Sequence, residues 1–167
     1  TTFSLWDTYR ALHPLFNIVQ VKRNHDMMLS MLAHYDQSVH HALPVWSHYA
    51  NENWCMIGYH AVSVLADGIV KGTLTTDLDK ALQACISSAN LEYYDGIADY
   101  KKYGYVPEDR NSSSVSKTLE YAYDDWCIAR IAEKLGKKDI VTEYDNRAKN
   151  FHNVWDPKTG FMRPRLA

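Results

Sequence analysis

Apolar residues recur along this chain at intervals of three and four, and strict alternation of apolar and polar positions is almost absent. That spacing puts the apolar side chains on one face of an α-helix. Six main helices follow from it. The first is predicted over Thr8–Gln20, with a break or 3₁₀ turn before Pro14, because proline removes a helix hydrogen bond. The second covers Arg23–Tyr35, with Met27, Met28, Met31, Leu32 and Tyr35 as its stripe. After a loop through Pro44, the third covers Asn53–Lys71 and stops at Gly72. The fourth starts at the capping pair Thr76-Asp77 and ends near Ala89. A helical turn follows at Gly96–Tyr103. The fifth covers Val115–Leu135 behind the Ser112-Ser113-Ser114 cap region, and the sixth Asp139–Val154. The tail turns at DPKTG into an extended FMRPR.

These helices differ in character. The third and fifth are apolar or small on most faces, which implies cover on both sides. The second, fourth and sixth each keep one polar face. The order is inner then outer, three times. The fold class is therefore all-α: three inner/outer helical hairpins, about half of an (α/α)6 toroid. Neither end carries a polar terminal cap, so neighbouring hairpins are expected beyond both. Inner helices related in this way run parallel, and their leading ends gather at one mouth. The residues there are Trp6 to Arg10, Asn51 to Trp54, and Ser112 to Lys117.

Composition narrows the function classes. The 167 residues are 46% apolar and 23% charged, with a net charge of −2, so no basic face invites nucleic acid. The longest near-apolar run, Cys55 to Ala66, is broken by His60 and is too short to span a bilayer. No signal peptide is present, and the opening TTFSLWD reads like the middle of a longer chain. Three cysteines, Cys55, Cys85 and Cys127, lie far apart within apolar helical patterns and are expected to be buried free thiols. Twelve Tyr and five Trp suit either packing or a wet, partly apolar ligand.

Two carboxylates, Asp7 and Glu52, stand at predicted inner-helix entrances beside Arg10 and Trp6. Such a mouth suits a sugar: carboxylates accept hydroxyl protons, and indole faces cover the apolar side of the ring. The alternative for Asp7 and Glu52 is capping of backbone N–H groups. Glu52 and Asp67, on one predicted helix, would lie about 22 Å apart and could not act together. Asp7 and Glu52 could be neighbours. Asp124-Asp125 reads as a solvated or salt-bridged pair, or as one carboxylate pointing inward. His60 is either a core histidine held by a hydrogen bond or a ligand or base at the mouth. The remaining histidines match no zinc motif, and neither a phosphate loop nor a nucleophile elbow is present. A helical-repeat module offering a concave groove to a partner accounts for the hairpins equally well.

Four strings, SLWDTYRALHPLFNIVQ, NENWCMIGYHAVSVLADGIVKG, YVPEDRNSSSVSKTLEYAYDDWCIARIAEKLGK and NVWDPKTGFMRPR, together resemble glycoside hydrolase family 92, the bacterial exo-acting α-mannosidases. The resemblance covers nearly the whole chain. It implies an (α/α)6 toroid behind a β-sandwich, with this chain as about the first half of the toroid, residues 1–167. It implies removal of terminal α-linked mannose, α-1,2 being the first expectation, with inversion, and a requirement for calcium. The implied partners are a mannose-containing glycan and the remainder of the same catalytic domain, and the implied location is the periplasm or cell surface. Trp6, Asp7 and Arg10 in WDTYR match a motif at the sugar-binding floor, and Glu52 and His60 match one near the same mouth. The general acid, the general base and the principal calcium ligands are implied to lie downstream, so no catalytic or metal residue is assigned here and the isolated chain is expected to be inactive. Another (α/α)6 carbohydrate-active enzyme is the alternative. Where the family often has Trp-Glu followed by Gly-Asn-Glu, this chain has Trp46-Ser47 and Ala50-Asn51-Glu52.

Overall fold

The computed structural model describes residues 2–49 and 51–167. Thr1 and Ala50, each part of a string singled out above, lie outside the described residues. Among the described residues the chain is mainly helical, with two minimal hairpins. The helices are α1 (Leu5–Thr8), α2 (Leu12–Val19), α3 (Val21–Gln37), α4 (Ala61–Lys71), α5 (Leu78–Ala89), α6 (Ile97–Tyr103), α7 (Ser114–Lys134) and α8 (Lys138–Ala148), the last running into a 3₁₀ turn at Lys149–Val154. Strand β1 (Ser47–His48) pairs antiparallel with β2 (Asn51–Glu52), and β3 (Trp155–Asp156) with β4 (Phe161–Met162).

Cross-links between the inner elements fix their direction. Tyr9 stacks on His60, and farther along Asn17 donates to Asp67, so α2 and α4 ascend together. His60 meets Glu120 and Asp124 midway along α7, and Ser63 meets the hydroxyl of Tyr123, while Asp67 and Val70 farther along α4 line the same groove as Arg130 and Lys134 farther along α7. The inner segments are therefore parallel. Helix α4 is buried from Ala61 through Ala66 and again at Gly68 and Ile69, as an apolar-all-round helix must be. Outer helix α3 packs on α2, α4 and α5, while α8 lies along α7. Gly72 caps α4 in the left-handed conformation predicted for it.

The break predicted before Pro14 is present: Tyr9–Ala11 parts α1 from α2, and Pro14 sits in the opening turn of α2, where its missing N–H costs nothing. Four local expectations are corrected. The third predicted helix begins at Ala61 rather than Asn53. Asp77 and Ser113 occupy N-cap positions, but in left-handed conformations and with no side-chain capping bond. The Glu108 carboxylate accepts from the Ser114 N–H and hydroxyl instead. The sixth predicted helix tightens into 3₁₀ geometry at Lys149. Cys55 is exposed in an irregular segment, whereas Cys85 and Cys127 are buried; all three are free.

Candidate functional site

Residues 53–60 explain why α4 starts late. Trp54, Met56 and Gly58 all have positive φ, at 59°, 69° and 86°, and left-handed residues at every second position cannot propagate a helix. Glu52 anchors the segment. Its carboxylate accepts from the backbone N–H groups of Val45 (2.6 Å), Trp46 (2.8 Å), Asn53 (3.1 Å) and Trp54 (3.2 Å). The Val45 carbonyl in turn accepts from the Leu5 N–H, so Glu52 braces the loop on which α1 rests. Since Glu52 is not on α4, its separation from Asp67 is not a helical rise. Gly58 is required by proximity: a Cβ there would lie 2.2 Å from Nε2 of His60.

His60, fully buried at the head of α4, lies between two carboxylates of α7. Its Nδ1 is 2.9 Å from Asp124 Oδ1, and its Nε2 makes an ion-pair contact of 2.6 Å with Glu120 Oε2, charge against charge rather than an aligned hydrogen bond. One face of the ring stacks on Tyr9, with centroids 3.9 Å apart and an interplanar angle of 18°. Burial alone would lower the histidine pKa, but the Asp124 carboxylate, and then Glu120, outweigh it and raise it to about 9. Burial opposes ionisation of Glu120 too, yet the His60 and Arg10 charges hold its carboxyl below the usual range.

Glu120 is where the segments meet. Tyr9 donates its hydroxyl to Oε2 at 3.3 Å, and Arg10 donates to Oε1 at 3.4 Å. The Arg10 guanidinium carbon lies 4.8 Å from the ring centroids of both Trp6 and Tyr9. Asp7 is exposed on α1 and accepts from the Ser4 hydroxyl. The indole N–H of Trp6 finds no acceptor among the described residues. Of the sequence-predicted set, then, Trp6, Arg10 and His60 are brought together through Glu120, Asp7 stands beside them on α1, and Glu52 is committed to amides behind the loop. Residues 112–117 serve Glu108, Asp95 and Asn111 instead.

The next residue, Asp125, turns the other way. Arg147 contacts both its oxygens, at 3.0 and 3.1 Å, and Tyr59 and Tyr100 donate hydroxyls at 2.9 and 3.0 Å. Asp124 and Asp125 are both fully buried, which overturns the solvated reading and bears out the salt-bridged one. Among the described residues no three His, Cys, Asp or Glu side chains are grouped to hold a metal ion, and the carboxylates of Glu120, Asp124 and Glu52 are already engaged by cations or amides. Along α4 and α7 runs a groove of about 650 Å³, lined by Tyr9, Arg10, Ala66, Val70, Tyr123 and Trp126 among others.

The family model described as the glycosyl hydrolase family 92 catalytic domain matches residues 1–167. Among solved structures, a family GH92 α-mannosidase of Bacteroides thetaiotaomicron in complex with mannoimidazole superposes with a TM-score of 0.96 at 56% identity, over 100% of this chain and 22% of that one. A family GH92 inverting mannosidase of the same organism gives 0.89 at 39% identity, over 98% of this chain and 23% of its own. An "uncharacterized secreted glycosidase" of Arthroderma benhamiae is 30% identical over 136 residues, 65% of this chain and 17% of that protein. The chain thus spans less than a quarter of the length of the relatives it matches.

Proposed function

The chain belongs to glycosyl hydrolase family 92, and from that premise we propose that it forms part of the catalytic domain of an α-mannosidase. The protein would remove terminal α-linked mannose, α-1,2-linked in the first instance, with inversion of configuration. One observation carries this reading: Trp6 and Arg10, on either side of the exposed Asp7 in the sequence, meet Glu120 of the distant helix α7 at one mouth. Asp7 accepts hydrogen bonds from sugar hydroxyls there, Arg10 donates to sugar oxygens, and Trp6 supplies an apolar face. His60 and Glu52 support this floor from behind, one through Glu120 and the other through the loop that holds Leu5.

Inversion needs one carboxylic acid to protonate the leaving oxygen and a carboxylate to activate water on the opposite face, roughly 6.5–9.5 Å away. We assign both to parts of the protein outside these residues. The calcium implied by the family would likewise be held chiefly by ligands outside this chain. The rest of the catalytic domain would cover the groove in which Val70 and Trp126 are about half exposed, completing an (α/α)6 toroid of which residues 1–167 form about half. A location in the periplasm or at the cell surface agrees with the secreted relative, and among the described residues no helix is long and apolar enough to cross a membrane.

The test is turnover of an aryl α-mannoside and of an α-1,2-linked mannobiose by the full-length protein, with the product anomer followed by NMR. Release of β-mannose first, abolished by a calcium chelator and reduced at least a hundredfold by Asp7→Ala with an unchanged melting curve, is expected. The 167-residue chain alone should give no turnover. Full-length protein that ignores mannosides, or that releases the α-anomer, would sink the reading.

A further inference from the structure

We propose that Glu120 is a positioning residue that sets Arg10 at the mouth, and that it does so through a neutral alternating chain, Asp124–His60–Glu120–Arg10. The proposal rests on the sugar-binding reading of the mouth. The inner end of the chain has no freedom. Asp124 is fully buried, one oxygen on His60 and the other accepting the Tyr59 N–H at 2.8 Å. Both ring nitrogens of His60 face carboxylates, one ring face lies on Tyr9, and Gly58 leaves no gap beside Nε2. The outer end is the opposite case. The Arg10 side chain is 47% exposed and springs from the break between α1 and α2, where no helix orients it. Glu120, at 17% exposure, spans the two: Oε2 faces His60 and Tyr9, and Oε1 faces Arg10.

The charges alternate and cancel along the chain, two carboxylates against two cations, so each ion is compensated on the side from which water is excluded. A guanidinium held in this way is ordered on folding rather than on meeting its ligand, and preorganisation of that kind improves binding. Loss of the Glu120 charge should therefore weaken substrate binding more than the chemical step.

The experiment is a double-mutant cycle on the full-length protein with an aryl α-mannoside, together with crystal structures of the variants. Glu120→Gln should raise KM about tenfold and change kcat less than about threefold. Arg10→Ala should raise KM at least as much, and the double variant should match Arg10→Ala alone, because Glu120 acts through Arg10. The Glu120→Gln crystal structure should show Arg10 displaced from the Trp6 and Tyr9 rings. Multiplicative effects in the double variant, an unchanged KM, or Arg10 in place would each overturn the proposal. If Glu120→Gln does not fold, Glu120→Asp, which keeps the charge and shortens the reach, should give an intermediate KM with Arg10 still paired, and an unchanged KM there counts against it. If the wild-type protein turns over no mannoside, the functional reading fails by itself, and the crystallographic comparison still decides whether Glu120 places Arg10.

Discussion

Asp124 and Asp125 are neighbours on α7, are equally buried, and do opposite things. Asp125 closes on itself. Its partner Arg147 is permanently charged and also donates to the Ala89 carbonyl and the Asn90 side chain, and two tyrosine hydroxyls complete the carboxylate. Asp124 opens outward. Its partner His60 hands its second nitrogen to Glu120, and Glu120 reaches an exposed arginine. One helix thus carries a saturated staple on one side and a conduit to the surface on the other. Successive helical residues point about 100° apart, which is how one Asp-Asp pair serves two environments.

The largest expected effect tests the staple. Asp125→Ala should strand a buried guanidinium and destabilise the full-length protein by about 3–5 kcal/mol in urea unfolding, with the His60–Glu120 contact left in place. A loss below about 1 kcal/mol would show that the two sides do not differ as described. Gly58→Ala attacks the other side. It places a Cβ against the His60 ring at a backbone φ of 86°, and should cost about 1–3 kcal/mol and loosen the mouth. Wild-type KM in that variant would contradict the packing around His60.

A pH experiment sharpens the contrast further. The folded pKa of His60 is raised from 6.5 to about 9. The stability from its charge is fully present below about 6.5 and is lost as pH rises through about 9. Glu120 has the opposite sign: its contribution is present above its unfolded value near 4.5 and is lost as pH falls through its lowered folded value. The groups facing His60 are Asp124, Glu120, Tyr9 and Tyr123, with Arg10 behind Glu120. Asp124→Asn should flatten the decline in melting temperature between pH 7 and about 10, while Asp125→Asn should leave that slope in place. Parallel slopes in the two variants would refute the assignment. The smallest effect is that of Tyr100→Phe, which removes one donor from a carboxylate that keeps three others and should cost about 1 kcal/mol.

The helices were legible in the sequence because spacing alone sets which face is buried, and Gly72 marked the end of α4 without ambiguity. The start of α4 was not legible. Asn53 to Ile57 reads as helix by composition, but Glu52 gathers the amides of residues 45, 46, 53 and 54, and the chain at Trp54 and Met56 is left-handed. The mouth was half legible. Trp6, Asp7, Arg10 and His60 stood out as candidates, whereas Glu120 did not. Its only trace was its place four residues before Asp124, on one helical face. Its importance comes from three segments meeting, which no local pattern records.

The two aspartates also differ in how far along the chain they reach. Arg147 lies 22 positions from Asp125, whereas His60 lies 64 from Asp124. Short loops close before long ones, so the α7–α8 pair should assemble first and the junction with α4 later. During biosynthesis this protein should therefore pass through a stage that has its framework but not yet the junction of His60 with α7, and pulsed hydrogen exchange should find the amides of residues 58–64 protected after those of 121–131.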